Sequence, residues 1–106
     1  MNVFVEDSDL YELLTTGKNR KYRGIERDKV LWSGLNKAVR IMRAVHEAAD
    51  LGTYSFLHYE KLKYQFSGLS SVRLAPGRIH RLIFKEEEDH ITVTLLEIDD
   101  THYGNK

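Results

Sequence analysis

The sequence predicts an α+β fold in which two N-terminal helices pack on one face of a small antiparallel β-sheet. Two patterns lead to this prediction. Apolar residues recur at helical spacing from Leu31 to Ala49, and they alternate at strand spacing from Val72 to Ile98. Helices followed by an antiparallel meander form a sandwich of two layers. The 106 residues are enough for a single domain, 1–106, with one hydrophobic core.

The first 17 residues contain a short strand pattern and a short helix pattern. Val3 to Val5 is an apolar run that suits an edge strand. Ser8 has a side chain suited to the N-cap of a helix over Asp9 to Thr16, and Gly17 suits the end of that helix.

The second helix has the strongest signal in the chain. One apolar stripe, with members three or four residues apart, consists of Leu31, Leu35, Ala38, Met42, Val45 and Ala49. Gly52 then suits the C-terminal stop. Gly34 weakens the helix by roughly 1 kcal/mol relative to alanine, so we expect another element to pack closely against it.

The next stretch is aromatic and basic, and its last part alternates like a strand. Lys61, Lys63 and Gln65 alternate with Leu62, Tyr64 and Phe66. We therefore predict that Lys61 to Phe66 is the first strand of the meander, and that Gly68 allows the bend into the second.

Two further strands form a hairpin whose register follows from the hydrophobic pattern. The large apolar residues expected on the buried face are Val72, Leu74, Leu82 and Phe84. Arg73 and Arg81 then share the opposite face. This arrangement requires a loop of odd length around Pro76 and Gly77, because a two-residue loop would place Arg81 in the core.

The last strand is predicted from Ile91 to about Ile98, after an acidic turn from Glu86 to Asp89. Its threonines belong on the less buried face. Continuing their alternation places Asp100 and His102 on the same face as the two arginines.

The facing arginines are the main functional signal. Two like charges directly opposite in a strand pair repel, at a cost of up to ~1 kcal/mol. Their proximity makes sense if an anion binds between them, and a phosphate matches the guanidinium fork. The alternative is a structural network in which Arg73 and Arg81 pair with Glu97 or Asp100.

The charge distribution adds a second signal. The formal net charge is zero, but cations cluster in one stretch that includes Lys18, Arg20, Lys21 and Arg23. This asymmetry predicts either a basic face for nucleic acid or an ordinary solvated helix surface. The chain has no cysteine, which excludes disulfides and thiolate metal sites. It shows no signal-peptide pattern and no apolar run of membrane-spanning length, so we expect a cytoplasmic protein.

Three segments of the second half resemble the RelE/ParE toxin superfamily, and within it the HigB-like plasmid-maintenance killer toxins. They are Gly68 to Leu74, Arg81 to Phe84, and Glu97 to His102. Leu62 and Lys63 are similar to the Leu-Lys pair that precedes the first arginine strand in that group. The first half agrees in its layout of two helices on a sheet.

The resemblance implies the toxin of a type II toxin–antitoxin system, an endoribonuclease that cuts mRNA on the ribosome. It implies a HigA-like antitoxin with a helix-turn-helix, contact with operator DNA only through that antitoxin, and no membrane partner, metal or cofactor. Carried over by position, Arg73 and Arg81 bind the scissile phosphate, and His102 is a general acid or base. Asp100 orients His102 or helps to position the RNA. Further phosphate contacts or proton transfer are assigned to Lys63, Lys61 and His58.

The residue types also suit this chemistry by themselves. Attack by a ribose 2′-hydroxyl needs a base, cations at the phosphate and an acid for the leaving oxygen. One histidine, two arginines and a lysine supply these groups. The competing interpretation is a non-catalytic module of the same fold, such as a gyrase inhibitor or an inactive toxin that still binds its antitoxin. Here His102 would be a bystander.

Overall fold

The computed structural model describes residues 1–101, and its centre is a five-stranded mixed sheet. The strand order is β1-β5-β4-β3-β2. The strands are β1 (Asn2–Val5), β2 (Glu60–Lys61), β3 (Ser70–Arg73), β4 (Arg81–Glu86) and β5 (Thr92–Asp99). Strands β2 to β5 form the predicted antiparallel meander, whereas β1 pairs in parallel with β5. The prediction of a purely antiparallel sheet is therefore wrong at this edge.

Three α-helices precede the meander: α1 (Ser8–Thr16), α2 (Arg23–Arg27) and α3 (Lys29–Ala44). The N-cap of α1 is Asp7 rather than Ser8, because the Asp7 carboxylate accepts the Leu10 N–H at 2.8 Å. Gly17 ends α1 in the left-handed conformation, as predicted. The one-turn helix α2 has no apolar stripe long enough to be seen in the sequence.

The predicted second helix is correct over most of its length but ends at Ala44 instead of reaching Ala49. The chain turns extended at Val45, and the Asp50 carboxylate accepts the backbone N–H groups of His46 and Glu47. A 3-10 helix, Ala48–Thr53, follows. It buries Ala48 and leaves Ala49 exposed, so the continuation of the apolar stripe beyond Val45 is accidental.

The main core lies between the helices and one face of the sheet. The predicted hairpin residues Val72, Leu74, Leu82 and Phe84 are all buried there, together with Leu35 and Met42 of α3. A second, smaller cluster lies on the opposite sheet face. It consists of Leu62 and Ile83, with Phe66, Leu69 and Leu96 packed against them.

The segment predicted as the first strand of the meander is mostly a loop. Only Glu60–Lys61 pairs with β3, and a 3-10 turn, Tyr64–Phe66, follows. The alternation of Leu62 and Phe66 reflects their packing in the small cluster. A further 3-10 turn, Ser55–Leu57, precedes β2. No helix within residues 1–101 combines the length and apolarity needed to cross a membrane.

Helix α3 contacts the end of β3 through Gly34. A Cβ atom at this position would lie 1.8 Å from the carbonyl oxygen of Leu74, the residue after Arg73. Glycine is therefore required here by close approach of the two backbones, as the sequence suggested. The same contact fixes the strand end that carries one of the two arginines.

We predict that Gly34→Ala lowers the free energy of unfolding by at least ~2 kcal/mol, because the overlap is with backbone that cannot rotate away. Gly24→Ala in α2 is the matched control. Its Cβ would meet no atom within 4 Å, so the higher helix propensity of alanine should raise stability by ~0.5–1 kcal/mol. Urea denaturation measures both. Equal stability of Gly34→Ala and wild type would contradict the close packing of α3 on Leu74.

Candidate functional site

Arg73 and Arg81 are direct cross-strand partners at the end of the sheet. Val72 faces Leu82 in the same register, and pairing continues to a hydrogen bond from Leu74 N–H to the His80 carbonyl at 3.1 Å. The five residues 75–79 close the hairpin. The predicted odd-length loop and the shared face of the two arginines, away from the helices, are therefore confirmed.

The guanidinium of Arg81 is held by three groups on the β2 side. Its Nε donates to Ser71 Oγ at 2.7 Å, and Nη2 donates to the His58 carbonyl at 2.6 Å. The Glu60 carboxylate lies 3.4 Å from Nη2. Burial lowers the pKa of Arg81, Glu60 raises it and Arg73 lowers it. An arginine keeps its charge through such shifts, so the site holds a fixed, largely desolvated cation.

Arg73 is half-buried and less constrained. Within residues 1–101 its guanidinium makes no hydrogen bond or ion pair, and Arg81 is a like charge across the strand pair. Its donors are thus available to an anion. The structural alternative paired the arginines with Glu97 or Asp100. Among the described residues neither pair forms, and the ion-pair partner of Arg81 is Glu60.

An irregularity in β5 changes which acidic residue faces the arginines. Ile83 pairs with Glu97, but the next residue, Phe84, pairs with Leu95. Leu96 is therefore the extra residue of a β-bulge, and the alternation reverses beyond it. Asp99 is consequently the cross-strand partner of Arg81. The prediction that Asp100 shares this face is wrong, since Asp100 is exposed beyond the strand end.

Asp99 is an unusual acid because it is buried, with 9% of its surface exposed. Its Oδ1 accepts a hydrogen bond from Thr101 Oγ1 at 2.7 Å, whereas Oδ2 is buried and has no partner within residues 1–101. An unsatisfied buried oxygen costs stability. Its position beside Arg81 joins it to the candidate site.

No protein-family model and no curated protein sequence matches this chain. Similarity appears among solved structures. The YoeB/ParE toxin from Agrobacterium tumefaciens superposes over 94% of this chain and 98% of its own, with a TM-score of 0.58 and 16% identity. A chain of the RelBE2 toxin–antitoxin complex from Mycobacterium tuberculosis matches over 93% of this chain and 95% of its own length, with a TM-score of 0.48 and 18% identity.

The chain shares the fold of this YoeB/ParE toxin. At 16% identity this likeness concerns the fold alone, and it agrees with the fold that the sequence resemblance implied. The HigB-like subtype stays a prediction.

Three further candidate residues of the sequence analysis are His102, Lys63 and His58. His102 lies outside the described residues. Lys63 is exposed at the start of the connection from β2 to β3. His58 contributes its backbone carbonyl to Arg81, while its side chain is exposed.

Lys61 belongs to a different network from the arginines. It pairs with Ser70 and thus lies on the helix-side face, 4.0 Å from Glu86. The Glu86 carboxylate accepts hydrogen bonds from Tyr59 at 2.5 Å and from Ser70 at 2.6 Å. Burial is the main cause of a raised pKa of Tyr59, and Glu86 raises it further. Lys61 is therefore separated from the arginine pair by the sheet.

The basic stretch lies in and beside the connection of α1 to α2, where its four cations are exposed: Lys18, Arg20, Lys21 and Arg23. Acidic groups lie among them, because the Asn19 side chain donates to Asp9 and Glu12. The pKa of Lys21 is raised mainly by Tyr22; burial opposes this effect, and acids that include Glu97 of β5 add smaller upward shifts.

Sequence reasoning missed Glu60, Ser71 and Asp99. Ser71 alternates with Arg73, so the strand pattern already placed it on the arginine face. Glu60 and Asp99 had no such signal, because their positions depend on the β2 register and on the bulge.

An apolar groove of about 400 Å³ lies between α3 and the β3–β4 loop, and it is lined by Val30, Phe56 and Pro76 among others. The arginine pair is not part of this groove.

We predict that Arg73→Gln raises the free energy of unfolding by ~0.5 kcal/mol at low salt, because it removes the repulsion with Arg81. The gain should shrink in about 1 M salt, which screens charges beyond ~3 Å. Arg73→Lys keeps the charge and is the matched control, with the stability of wild type. Urea unfolding at two salt concentrations gives the answer. A loss of stability in Arg73→Gln at low salt would mean that Arg73 has a favourable partner.

Proposed function

We propose that this chain is the toxin of a type II toxin–antitoxin system, and that it cleaves mRNA on the ribosome. The observation that carries the proposal is the cross-strand pair of Arg73 and Arg81 on the open sheet face. The Arg81 guanidinium is held in place by three protein groups, and within residues 1–101 that of Arg73 makes no hydrogen bond or ion pair. A bound phosphate would join the two cations and offset their repulsion.

The arginine pair suits the charge that develops during RNA cleavage. The ribose 2′-oxygen bonds to phosphorus and the bond to the 5′-oxygen breaks, which leaves a 2′,3′-cyclic phosphate and a 5′-hydroxyl. Negative charge accumulates on the non-bridging phosphate oxygens in between. Donors that are already oriented stabilise that charge without reorganising. Ser71 and the His58 carbonyl orient Arg81 in this way.

Two proton transfers complete the reaction. In this proposal the carboxylate of Glu60, which is half exposed and 3.4 Å from Arg81, accepts the proton of the 2′-hydroxyl. By the resemblance, His102 protonates the 5′-oxygen, and Lys63 contacts a neighbouring phosphate. We give Asp99 the role that the resemblance implied for Asp100, which is to orient His102 or to help position the RNA, because Asp99 is the residue opposite Arg81.

The partners follow from the same resemblance. They are the ribosome with its mRNA, and a HigA-like antitoxin with a helix-turn-helix, through which the toxin reaches operator DNA. We place the single-domain protein in the cytoplasm, where both partners reside. The chemistry needs no metal or cofactor, because arginines neutralise the phosphate and side chains move the protons.

We expect expression of this chain alone to arrest bacterial growth, and co-expression of its antitoxin to relieve the arrest. Arg81→Ala and His102→Ala should each abolish arrest, since they remove transition-state stabilisation and proton transfer. Arg40→Ala, at an exposed cation on α3, is the control and should remain toxic. Growth curves after induction, with circular dichroism of each purified variant, test this. Full toxicity of both site variants would show that the site is misplaced.

The basic stretch is proposed to track RNA phosphates beside the sheet. We expect neutralisation of Lys18, Arg20, Lys21 and Arg23 to glutamine to weaken ribosome association, with a defect that shrinks as salt rises. Cleavage at saturating protein should suffer much less than in Arg81→Ala, because phosphate contacts supply affinity rather than chemistry. Co-sedimentation with ribosomes over a salt series measures the first effect. Normal association at low salt would identify the stretch as an ordinary solvated surface.

The second candidate function is a non-catalytic module of this fold, either a gyrase inhibitor or an inactive toxin that binds its antitoxin. The ion pair between Glu60 and Arg81 favours it, because a paired arginine can be purely structural. Two assays separate the classes. Primer extension on mRNA from translating ribosomes reports cleavage, and a supercoiling assay reports gyrase inhibition. New 5′ ends that vanish in Arg81→Ala would exclude the non-catalytic class.

A further inference from the structure

Tyr64 is an aromatic residue with an unusual environment. Its side chain is 78% exposed, the highest value among the exposed large apolar side chains of the described chain. Its backbone φ is +59°, a left-handed conformation that bulky residues rarely adopt. Glycine or asparagine would fit this position with less strain. Neither burial nor backbone geometry therefore explains why a tyrosine is here.

The packing of its segment places Tyr64 beside the arginine face. Leu62 N–H donates to the Leu69 carbonyl at 2.8 Å, which closes the connection between β2 and β3. Leu62 and Phe66, on either side of Tyr64, pack on Ile83. Tyr64 thus projects from a loop that is fastened to that sheet face at both ends.

The distance to the phosphate site along the sheet is short. Ile83 is the cross-strand partner of Ser71, and Ser71 Oγ holds Arg81 Nε at 2.7 Å. The Ile83 cluster therefore adjoins the Arg81 guanidinium. Ile83 is also two residues from Arg81 on the same face of β4, which corresponds to about 7 Å along the strand. A nucleotide whose phosphate lies at the arginines has its own base or a neighbouring base within this range.

We propose that Tyr64 is a stacking platform for an unpaired RNA base next to the phosphate bound by Arg73 and Arg81. The proposal rests on the proposed function and extends its site by one nucleotide subsite. A flat, exposed aromatic ring stacks on any base, and single-stranded RNA is commonly held by phosphate contacts together with such stacking. The ring of Tyr64 is 78% exposed, so a base can reach it.

The experiment uses ribosomes programmed with an mRNA in which the 2′-hydroxyl at the cleavage site is methylated. This mRNA binds without being cut. A 2-aminopurine base is moved through the positions around that site, since stacking quenches its fluorescence. Wild-type protein is expected to quench it at one position and Tyr64→Ala to bind roughly tenfold more weakly or worse, with the quenching lost. Tyr64→Phe and Tyr64→Trp should keep the binding affinity and the quenching of the wild-type protein. Tyr11→Ala is the matched control, because Tyr11 is 58% exposed on α1.

A second measurement separates stacking from a structural role. Tyr64→Asn and Tyr64→Gly relieve the left-handed backbone, so both should raise the melting temperature by roughly 5 °C while they weaken RNA binding. If Tyr64 were needed for folding, both substitutions would lower the melting temperature instead of raising it. Opposite changes in stability and affinity are therefore the expected signature.

The outcomes distinguish this proposal from the proposed function. If RNA binding is lost in Arg81→Ala but unchanged in Tyr64→Ala, the stacking role is wrong and the phosphate site stands. If Tyr64→Trp binds as weakly as Tyr64→Ala, the ring does not stack and the proposal is again wrong. If the wild-type protein does not bind the programmed ribosome at all, both proposals are overturned.

Discussion

The close approach of α3 to the end of β3 is the constraint on which the rest of this structure depends. Gly34 lets the helix backbone lie directly against the Leu74 carbonyl. Leu74 follows Arg73, and its N–H continues the ladder that sets the register with β4. The position of the helix layer therefore fixes the strand end that places Arg73 opposite Arg81. The N-cap of α3 supports the same region, because the Asp28 carboxylate also accepts Arg78 Nε from the β3–β4 loop at 3.0 Å.

The side chains on the arginine face break several local rules at once. Two like charges are cross-strand partners, a buried carboxylate oxygen of Asp99 has no partner within residues 1–101, and Tyr64 has a left-handed backbone. Each feature costs of order 1–3 kcal/mol or less. On the helix-side face, by contrast, apolar residues pack as the sequence pattern predicts. Such costs on an open face are typical of a functional surface, because packing elsewhere compensates for them.

Preorganisation distinguishes the two arginines from each other. Arg81 has little freedom, since a hydroxyl, a carbonyl and a carboxylate surround it. Arg73 makes no hydrogen bond or ion pair with the part of the chain that the structure describes. A fixed cation binds an anion in a defined geometry at low entropic cost, and a second cation beside it adds positive charge that stabilises the bound anion. Arg73 therefore contributes charge to the candidate site without stabilising the fold. Arg81, in contrast, also contacts Glu60 of β2.

The sequence by itself determined the two-layer α+β fold, helix α1, the apolar stripe of α3, the buried hairpin residues and the shared face of Arg73 and Arg81. These features follow from local periodicity, because a one-residue slip in a half-buried hairpin would expose its whole apolar set. Only the tertiary structure decided the parallel pairing of β1, the end of α3, the loop from Lys63 to Leu69 and the Asp99 position. The physical reason is that strand partners, bulges and close backbone contacts depend on residues far apart in the chain. Leu96 alternates correctly with its neighbours, and only pairing with β4 shows that it is the extra residue that turns Asp99 toward Arg81.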